Sequence, residues 1–429
     1  MNKKNEKVNT NNRKSEAFFM RKTITKLLLV FFLMTMYAYT LSIDSIPDNM
    51  VILEGENIAL KTLFGMQIKT KGETLEAVSN NKDSTITPKT GKATLEVSLF
   101  NNIPIKEVDV DILPKSKVIP VGGVAGVKLY TSGVLVVGMS EIEGIDNKKH
   151  RPYENTGIQE GDTITEVNHT AISSTEELMK IVNQSQGKAI QIQYRQEEET
   201  KECSIEPVKT SSKEYKLGLW VRDSAAGVGT VTFYEPNTKT FGALGHGITD
   251  IDTEELIHIA SGEFVTTRIL DIVKGESGAP GKIQGTVDNQ QNIGKIYKNS
   301  QFGIYGKVDN LASLKIDTSR EMEVALREEI KLGKATILCS LDNEKVEEYE
   351  IEIEKIYRDN NYNNKSMQIK VTDQRLLEKT GGIIQGMSGS PILQNGKFVG
   401  AITHVLLNNP QEGYAVFGDI MLKQSKEIN

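Results

Sequence analysis

The chain has 429 residues, a length that suggests two to four domains and allows a sizeable buried core. Its formal net charge of -6 and its aromatic content of 6% offer neither a basic surface nor stacking platforms, so nucleic acid is not expected as a partner. Two cysteines, Cys203 and Cys339, cannot form a disulfide framework or a zinc site by themselves. We expect buried thiols, with a single bridge as the alternative.

The N-terminus combines a basic tail, residues 1–26, with an apolar run, residues 27–43. Lysine and arginine greatly outnumber glutamate in the tail, and the run carries no charge. Its length is at the short end of what crosses a bilayer as a helix, and the flanking cations should stay cytoplasmic. We predict a transmembrane anchor followed by an exported remainder. A cleaved signal peptide is the alternative, although the tail is long for one and no Ala-x-Ala site follows.

Residues 44–117 alternate apolar and polar side chains between Gly, Asn and Pro, as in "KATLEVSLF" and "IKEVDVDIL". This period of two is typical of half-buried strands. The pattern predicts a small β-rich spacer domain with no chemistry of its own.

Residues 118–208 begin with the glycine-rich "PVGGVAGVKLYTSGVLVVG" and continue through "NTGIQEGDTITEVNHTAI" to a short helix. Ser174 and Glu177 form a capping box, and an apolar helix face follows, made of Leu178, Ile181 and Val182. The order of strands, capped helix and closing strand "AIQIQYR" resembles a PDZ domain of the kind attached to bacterial proteases.

A PDZ domain binds an extended peptide or C-terminus as an added strand between a sheet edge and a helix, and a glycine-containing loop holds the carboxylate. By position, the resemblance places that loop within Gly122–Leu129. The candidate peptide-binding residues are Gly122, Gly123, Gly126, Val127 and Leu129. The alternative is that these glycines only make turns.

Residues 209–429 are long enough for a two-barrel β domain. Strand-like runs such as "GVGTVTFY", "ATILCSL" and "FVGAITHVLL" are separated by Gly, Asn and Asp, and only "LASLKI" and "DQRLLEKTGG" indicate short helices. The predicted fold class is therefore mainly β.

The turn "GMSGSP" contains the candidate nucleophile, Ser388. A serine hydroxyl needs an adjacent base, and the oxyanion that develops needs backbone N–H donors fixed in advance. The flanking glycines allow a tight turn, in which the N–H groups of Gly386 and Ser388 can form an oxyanion hole. The turn resembles the Gly-x-Ser-Gly-x-Pro turn of chymotrypsin-like serine proteases, which predicts a double β-barrel. The alternative is a β-turn with an incidental serine.

His246 is the candidate base among five histidines, because it lies between two glycines directly after a strand. His150 and His169 lie in the PDZ-like region, and His258 lies in an alternating strand. His404 follows the serine by 16 positions and is the competitor, with a substrate-side or structural role as its expected assignment.

Further segments occur in one order: "FGALGHGITD", "GESGAPGKI", "FGIYG", "VTDQRLLEKTGGIIQGMSGSPI" and "VGAITHV". Behind a PDZ-like region and an apolar N-terminal run, this order resembles the S55 family of SpoIVB-type serine peptidases from endospore-forming bacteria, over essentially the full chain. The resemblance implies a membrane-anchored regulatory endopeptidase in the space between the inner and outer forespore membranes. It implies self-cleavage, and cleavage of a membrane-associated regulatory protein that activates a late sigma factor. It also places the catalytic histidine, aspartate and serine at His246, Asp373 and Ser388.

Spacing alone does not choose the carboxylate, because Asp250 and Asp252 follow His246 closely and Asp250 rivals Asp373. A zinc hydrolase is a weak alternative, since no His-Glu-x-x-His helix is present, and we expect no metal or cofactor. A catalytically degenerate PDZ adapter that tethers peptides or membrane partners is the second functional hypothesis. The scissile sequence, the cleaved partner and the oligomeric state are left open.

Overall fold

The computed structural model describes residues 24–46, 48–54, 66–71, 75–80, 83–88, 91–100, 102–314, 316–358 and 364–428. Most of the predicted basic tail, residues 1–23, lies outside the described residues. The chain divides into two compact units, Met1–Lys115 and Ser116–Asn429.

The first unit begins with one helix that is long and apolar enough to cross a membrane, α1 (Ile24–Asp44). Its strands are β1 (Asn49–Leu53), β2 (Met66–Lys71), β3 (Leu75–Asn80), β4 (Asp83–Pro88), β5 (Gly91–Leu99) and β6 (Ile103–Leu113). Four of them form a sheet in the order β1-β6-β5-β2, and β3 pairs with β4. Leu95 and Val97 of β5 and Val108 of β6 are fully buried, because alternate residues of each strand face one apolar core. The segments that we expected to be strands are confirmed as β5 and β6.

The second unit begins with two strands, β7 and β8, and a small mixed region of strands and one helix follows. In chain order, the elements of this part are β7 (Lys117–Pro120), β8 (Val124–Met139), β9 (Ile142–Glu143), β10 (Lys149–His150), β11 (Thr163–Val167), β12 (Thr170–Ala171), α2 (Thr175–Gln184), β13 (Ile190–Gln196), β14 (Glu199–Ile205), β15 (Val208–Lys209) and β16 (Tyr215–Lys216). The predicted cap is present, since the Ser174 side chain accepts the Glu177 N–H, and Leu178 and Val182 are buried.

The elements that follow are β17 (Leu219–Glu235), β18 (Thr240–Ala243), β19 (Ile259–Val273), β20 (Lys282–Ser300), β21 (Gly303–Val308), two short 3-10 turns (Leu311–Leu314 and Thr318–Arg320) and β22 (Met322–Glu323). The last group is β23 (Gly333–Cys339), β24 (Glu347–Ile356), β25 (Met367–Val371), α3 (Gln374–Thr380), β26 (Pro391–Gln394), β27 (Lys397–Leu406), β28 (Asn409–Phe417) and α4 (Gly418–Lys426). Both short helices expected from the sequence, at "LASLKI" and "DQRLLEKTGG", are confirmed.

Two six-stranded barrels form the C-terminal part of the fold. The first has the order β8-β19-β20-β21-β18-β17 and closes because β17 also pairs with β8. The second is the closed barrel β23-β24-β25-β28-β27-β26. Phe241 and Phe264 pack in the first core with ring centroids 4.7 Å apart, and Tyr349 and Phe417 are buried in the second. The predicted double β-barrel is confirmed.

The PDZ region is inserted between the first two strands of the first barrel. Both halves of β8 pair with β17, but on its other edge the N-terminal half pairs with β19 of the barrel, whereas the C-terminal half pairs with β11. The switch occurs at Gly133, whose φ is 121°, and a Cβ there would lie 2.4 Å from the carbonyl oxygen of Ile164. The N-terminal half of β8 thus belongs to the first barrel by its pairing, although it lies within the region, residues 118–208, that we predicted as the PDZ domain.

This insertion overturns the predicted carboxylate-binding loop at Gly122–Leu129. Val127 and Leu129 are buried in the core of the first barrel, and both edges of their strand are paired. A paired strand has no free N–H groups to offer a peptide. Gly122 and Gly126 allow close packing inside the peptidase part, because an added Cβ would lie 2.7 Å from Leu338 at Gly122 and 2.9 Å from Thr267 at Gly126. Gly123 lies between them, and its backbone carbonyl accepts the Val231 N–H.

Candidate active site

The Ser388 turn is held against the first barrel by Thr230 of β17. The Thr230 N–H donates to the Ser388 carbonyl over 3.0 Å, and its hydroxyl donates to the Gly386 carbonyl over 2.7 Å. Gly386 and Gly389 have φ values of 100° and 96°, which favour glycine. A Cβ at Gly389 would lie 2.2 Å from the Thr230 carbonyl oxygen. The turn therefore requires its glycines both for conformation and for close packing between the barrels.

Both predicted oxyanion donors lie in this turn. The carbonyls of Gly386 and Ser388 accept bonds from Thr230, while neither N–H has a backbone acceptor among the described residues. Two neighbouring N–H groups without backbone partners are what stabilisation of an oxyanion requires.

His246 follows β18 through two residues with left-handed backbone, Leu244 (φ 68°) and Gly245 (φ 69°). A Cβ at Gly245 would lie 3.0 Å from the Thr403 side chain, so glycine allows the loop to pack on the second barrel. His246 Nδ1 lies 2.7 Å from the carbonyl oxygen of Gly247. Burial lowers the pKa of His246, and the bond to Gly247 opposes this effect. The imidazole is therefore largely neutral near pH 7, as a general base must be.

The structure brings His246 and Ser388 into one cavity of about 640 Å³. Gly386 and His404 also line this cavity, and residues 225–228 of β17 form part of its wall. The Ser388 hydroxyl donates to the Thr403 carbonyl over 2.8 Å, and the hydrogen bonds described for it do not include an imidazole. Catalytic hydrogen bonds often tighten only when substrate is bound, so this geometry represents a resting arrangement.

His404 packs beside His246, with ring centroids 5.2 Å apart. Its Nδ1 atom is buried without a hydrogen-bond partner among the described residues. Burial, together with the neighbouring His246 and Lys365, lowers the pKa of His404 to about 4. A neutral second imidazole therefore packs against the first, at the side of the cavity formed by β27.

The structure does not bring Asp373 to His246. Asp373 is the N-cap of α3, where its carboxylate accepts the N–H groups of Arg375 (2.9 Å) and Glu350 (3.2 Å). It also forms an ion pair with the Arg375 guanidinium, which holds the pKa of Asp373 at about 2. The carboxylate of Asp373 therefore caps the helix α3, and Asp373 is not among the residues that line the cavity.

Asp250 belongs to the loop that carries His246, but the contacts described for its carboxylate are with residues other than His246. Its carboxylate accepts the N–H groups of Asp252 (2.9 Å) and Thr253 (3.2 Å) and forms an ion pair with Arg222. The Arg222 guanidinium also bonds Asp252 over 2.8 Å. Because Arg222 lies on β17, this strand fixes the loop after His246 as well as the Ser388 turn.

Sequence reasoning missed a second groove, located between α2 and the start of β17. This cavity of about 620 Å³ is lined by Leu178, Met179 and Val182 of α2 and by residues 217–221. The Ser140 N–H donates to the Gly218 carbonyl, so the backbone groups of Gly218 face the strand that contains Ser140. Because successive residues of a strand direct their N–H and C=O groups to opposite edges, those of Leu219 face the groove. Gly218 has a φ of 77°. The signal in the sequence was the glycine between two leucines in "KLGLWV", directly before a strand.

Comparisons with known proteins give two family matches. Residues 213–422 match the family described as SpoIVB peptidase S55, and residues 126–206 match the PDZ domain family. The comparison with curated proteins gave no match.

Among solved structures, the PDZ domain of an SdrC-like protein from Listeria monocytogenes is 20% identical over 21% of this chain and 87% of its own, with a TM-score of 0.17. The Rv3671c protease in its inactive form is 13% identical over 47% of this chain and 84% of its own, with a TM-score of 0.27. By these two family matches, the chain contains a serine peptidase domain of the SpoIVB S55 family, residues 213–422, and a PDZ domain, residues 126–206.

Proposed function

We propose that the protein is a membrane-anchored regulatory endopeptidase in which Ser388 is the nucleophile and His246 is the general base. The observation that carries this proposal is their shared cavity beside the N–H groups of Gly386 and Ser388. Membership of the S55 family and the apolar helix α1 support it.

In the proposed reaction, His246 removes the Ser388 hydroxyl proton as the serine oxygen attacks the scissile carbonyl carbon. The N–H groups of Gly386 and Ser388 stabilise the oxyanion. His246 then gives its proton to the leaving amine, and water attacks the acyl-enzyme by the same route in reverse. The reaction requires the Ser388 hydroxyl to rotate away from the Thr403 carbonyl. Asp373 as the orienting carboxylate stays a prediction from the family resemblance, because its described contacts serve α3.

The finer biological role follows from the family. We propose that the enzyme works between the inner and outer forespore membranes, that it cleaves itself, and that it cleaves a membrane-associated regulator to activate a late sigma factor. The groove between α2 and β17 supplies the peptide-binding edge that we had placed at Gly122–Leu129. Its apolar lining and the left-handed Gly218 suit an extended peptide whose carboxylate is held by backbone N–H groups.

The test is incubation of the purified full chain in detergent beside a Ser388→Ala copy, followed by mass spectrometry and fluorophosphonate labelling. We expect self-cleavage fragments and a labelled serine in the parent chain and neither in the variant. A folded parent chain that is neither labelled nor cleaved would favour the degenerate adapter.

A further inference from the structure

One strand, β17, forms a wall of both the cavity that holds Ser388 and the groove beside α2. Its first residues, Leu219–Val221, line the groove beside α2, whereas Ala225–Val228 line the cavity that holds Ser388 and His246. The strand is continuous between these points, with a register irregularity between Arg222 and Ser224. The two cavities are thus joined by a single extended backbone.

The edge of β17 that faces away from β8 has no strand partner over residues 219–228 in the part of the chain that the structure describes. Pairing with β18 begins only at Val231. Ala226 and Gly227 are exposed, and a Cβ added at Gly227 would meet no atom within 4 Å. The free edge therefore leads from the α2 groove to the position where Thr230 contacts the Ser388 turn.

The direction of this edge determines how a substrate would run along it. A peptide added antiparallel to β17, with its carboxyl end at the turn containing Gly218, has its upstream residues beside Ala225–Val228. Nine steps of an extended strand separate Leu219 from Val228, about 30 Å at about 3.3 Å per residue. Residues upstream of that point enter the cavity beside Ser388.

We propose that β17 acts as a ruler: the free C-terminal segment of a substrate protein docks between α2 and β17, and Ser388 cuts about 8–12 residues upstream of that C-terminus. The lining of the groove by Leu178, Val182, Leu217 and Leu219 selects an apolar last residue. The inference rests on the proposed peptidase function and adds the substrate class and the position of the cut.

The probe is a pool of unstructured 24-residue peptides with random sequence, apolar last residues and free C-terminal carboxylates, beside the same pool with C-terminal amides. The full chain in detergent is incubated with each pool, and mass spectrometry gives the distance of every cut from the C-terminus. We expect cuts to cluster about 8–12 residues from a free carboxylate, with the amidated pool losing most of this cluster.

Two variants localise the effect. Met179→Glu places a charge at the wall of the α2 groove, where Met179 is 54% exposed, and should remove the cluster. Leu332→Glu is the matched control, because Leu332 is 63% exposed and belongs to neither cavity.

The possible failures are distinguishable. If a labelled enzyme cuts at positions set by sequence, without regard to distance or amidation, the ruler is refuted and the peptidase proposal stands. Labelling without cleavage of either pool also counts against the ruler. Loss of both labelling and cleavage in the parent chain refutes the peptidase proposal itself.

Discussion

Replacing Asp373 by asparagine separates the structural role of this residue from the catalytic role that the family resemblance implies. In the structure the carboxylate caps α3 and forms an ion pair with Arg375, which is 61% exposed. Asparagine caps a helix about as well as aspartate, so the change removes mainly the ion pair. An exposed pair contributes about 0–1 kcal/mol, and the upper end of this range applies here because the Asp373 side chain is only 8% exposed. We expect the free energy of unfolding to fall by about 1 kcal/mol or less.

The expected change in rate is small for the same reason. A loss of about 1 kcal/mol, even if expressed entirely in the barrier, lowers a rate by less than about tenfold. Asp373→Ala also removes the cap, so it should cost about 1 kcal/mol more in stability than Asp373→Asn. The assay is the second-order rate of fluorophosphonate labelling between pH 6 and pH 10, with thermal melts of both variants.

A different result would refute this reasoning. If Asp373→Asn keeps its melting temperature but loses about 10⁴-fold in labelling rate, with partial recovery at high pH, the carboxylate orients the imidazole. In that case the reactive state would differ from the resting structure by a movement of α3 toward the cavity.

Three further outcomes are expected. Ser388→Ala should abolish labelling while Ser390→Ala, in the same turn, retains it; the reverse result would move the nucleophile. Arg222→Ala should lower the melting temperature and slow labelling, because it leaves the buried Asp250 carboxylate without its cation, at a cost of about 1–3 kcal/mol. A double-mutant cycle with Asp250→Asn should recover part of this loss, and strict additivity would contradict the coupling. Burial lowers the pKa of His246 below the ordinary histidine value of 6.5. The labelling rate should therefore fall on the acid side with a midpoint below pH 6.5, and a midpoint above pH 6.5 would argue against a buried base.

The sequence predicted most of the strands, because their period of two and their glycine punctuation are local properties. The Ser388 turn and the His246 loop could also be identified, since each combines a reactive side chain with flanking glycines. The cap at Asp373 could have been recognised as well, because an aspartate directly precedes a short predicted helix and Gly381 directly follows it. The catalytic role of that residue rests on the family resemblance alone.

The insertion of the PDZ region could not be predicted from local pattern. Residues 124–139 predict one strand, and their local pattern does not show that the pairing partners change near Gly133. The partners of β8 on β17 and β19 lie about 80 to 140 residues further along the chain, and single-sequence periodicity contains no information on such partners. The misplaced peptide-binding loop follows directly from this missing information.

The insertion also affects the order in which the molecule can fold. The strands β8 and β17 must meet to close the first barrel, and about 80 residues separate Met139 from its partner Leu219. If the inserted region folds first, its ends are already adjacent, so the barrel closes a connection of only a few residues. Loop-closure entropy makes this about 2.5 kcal/mol less costly than closing the unfolded segment. A PDZ region that folds first would in this way lower the entropy cost of closing the first barrel, because it holds together the two strands that the barrel must pair.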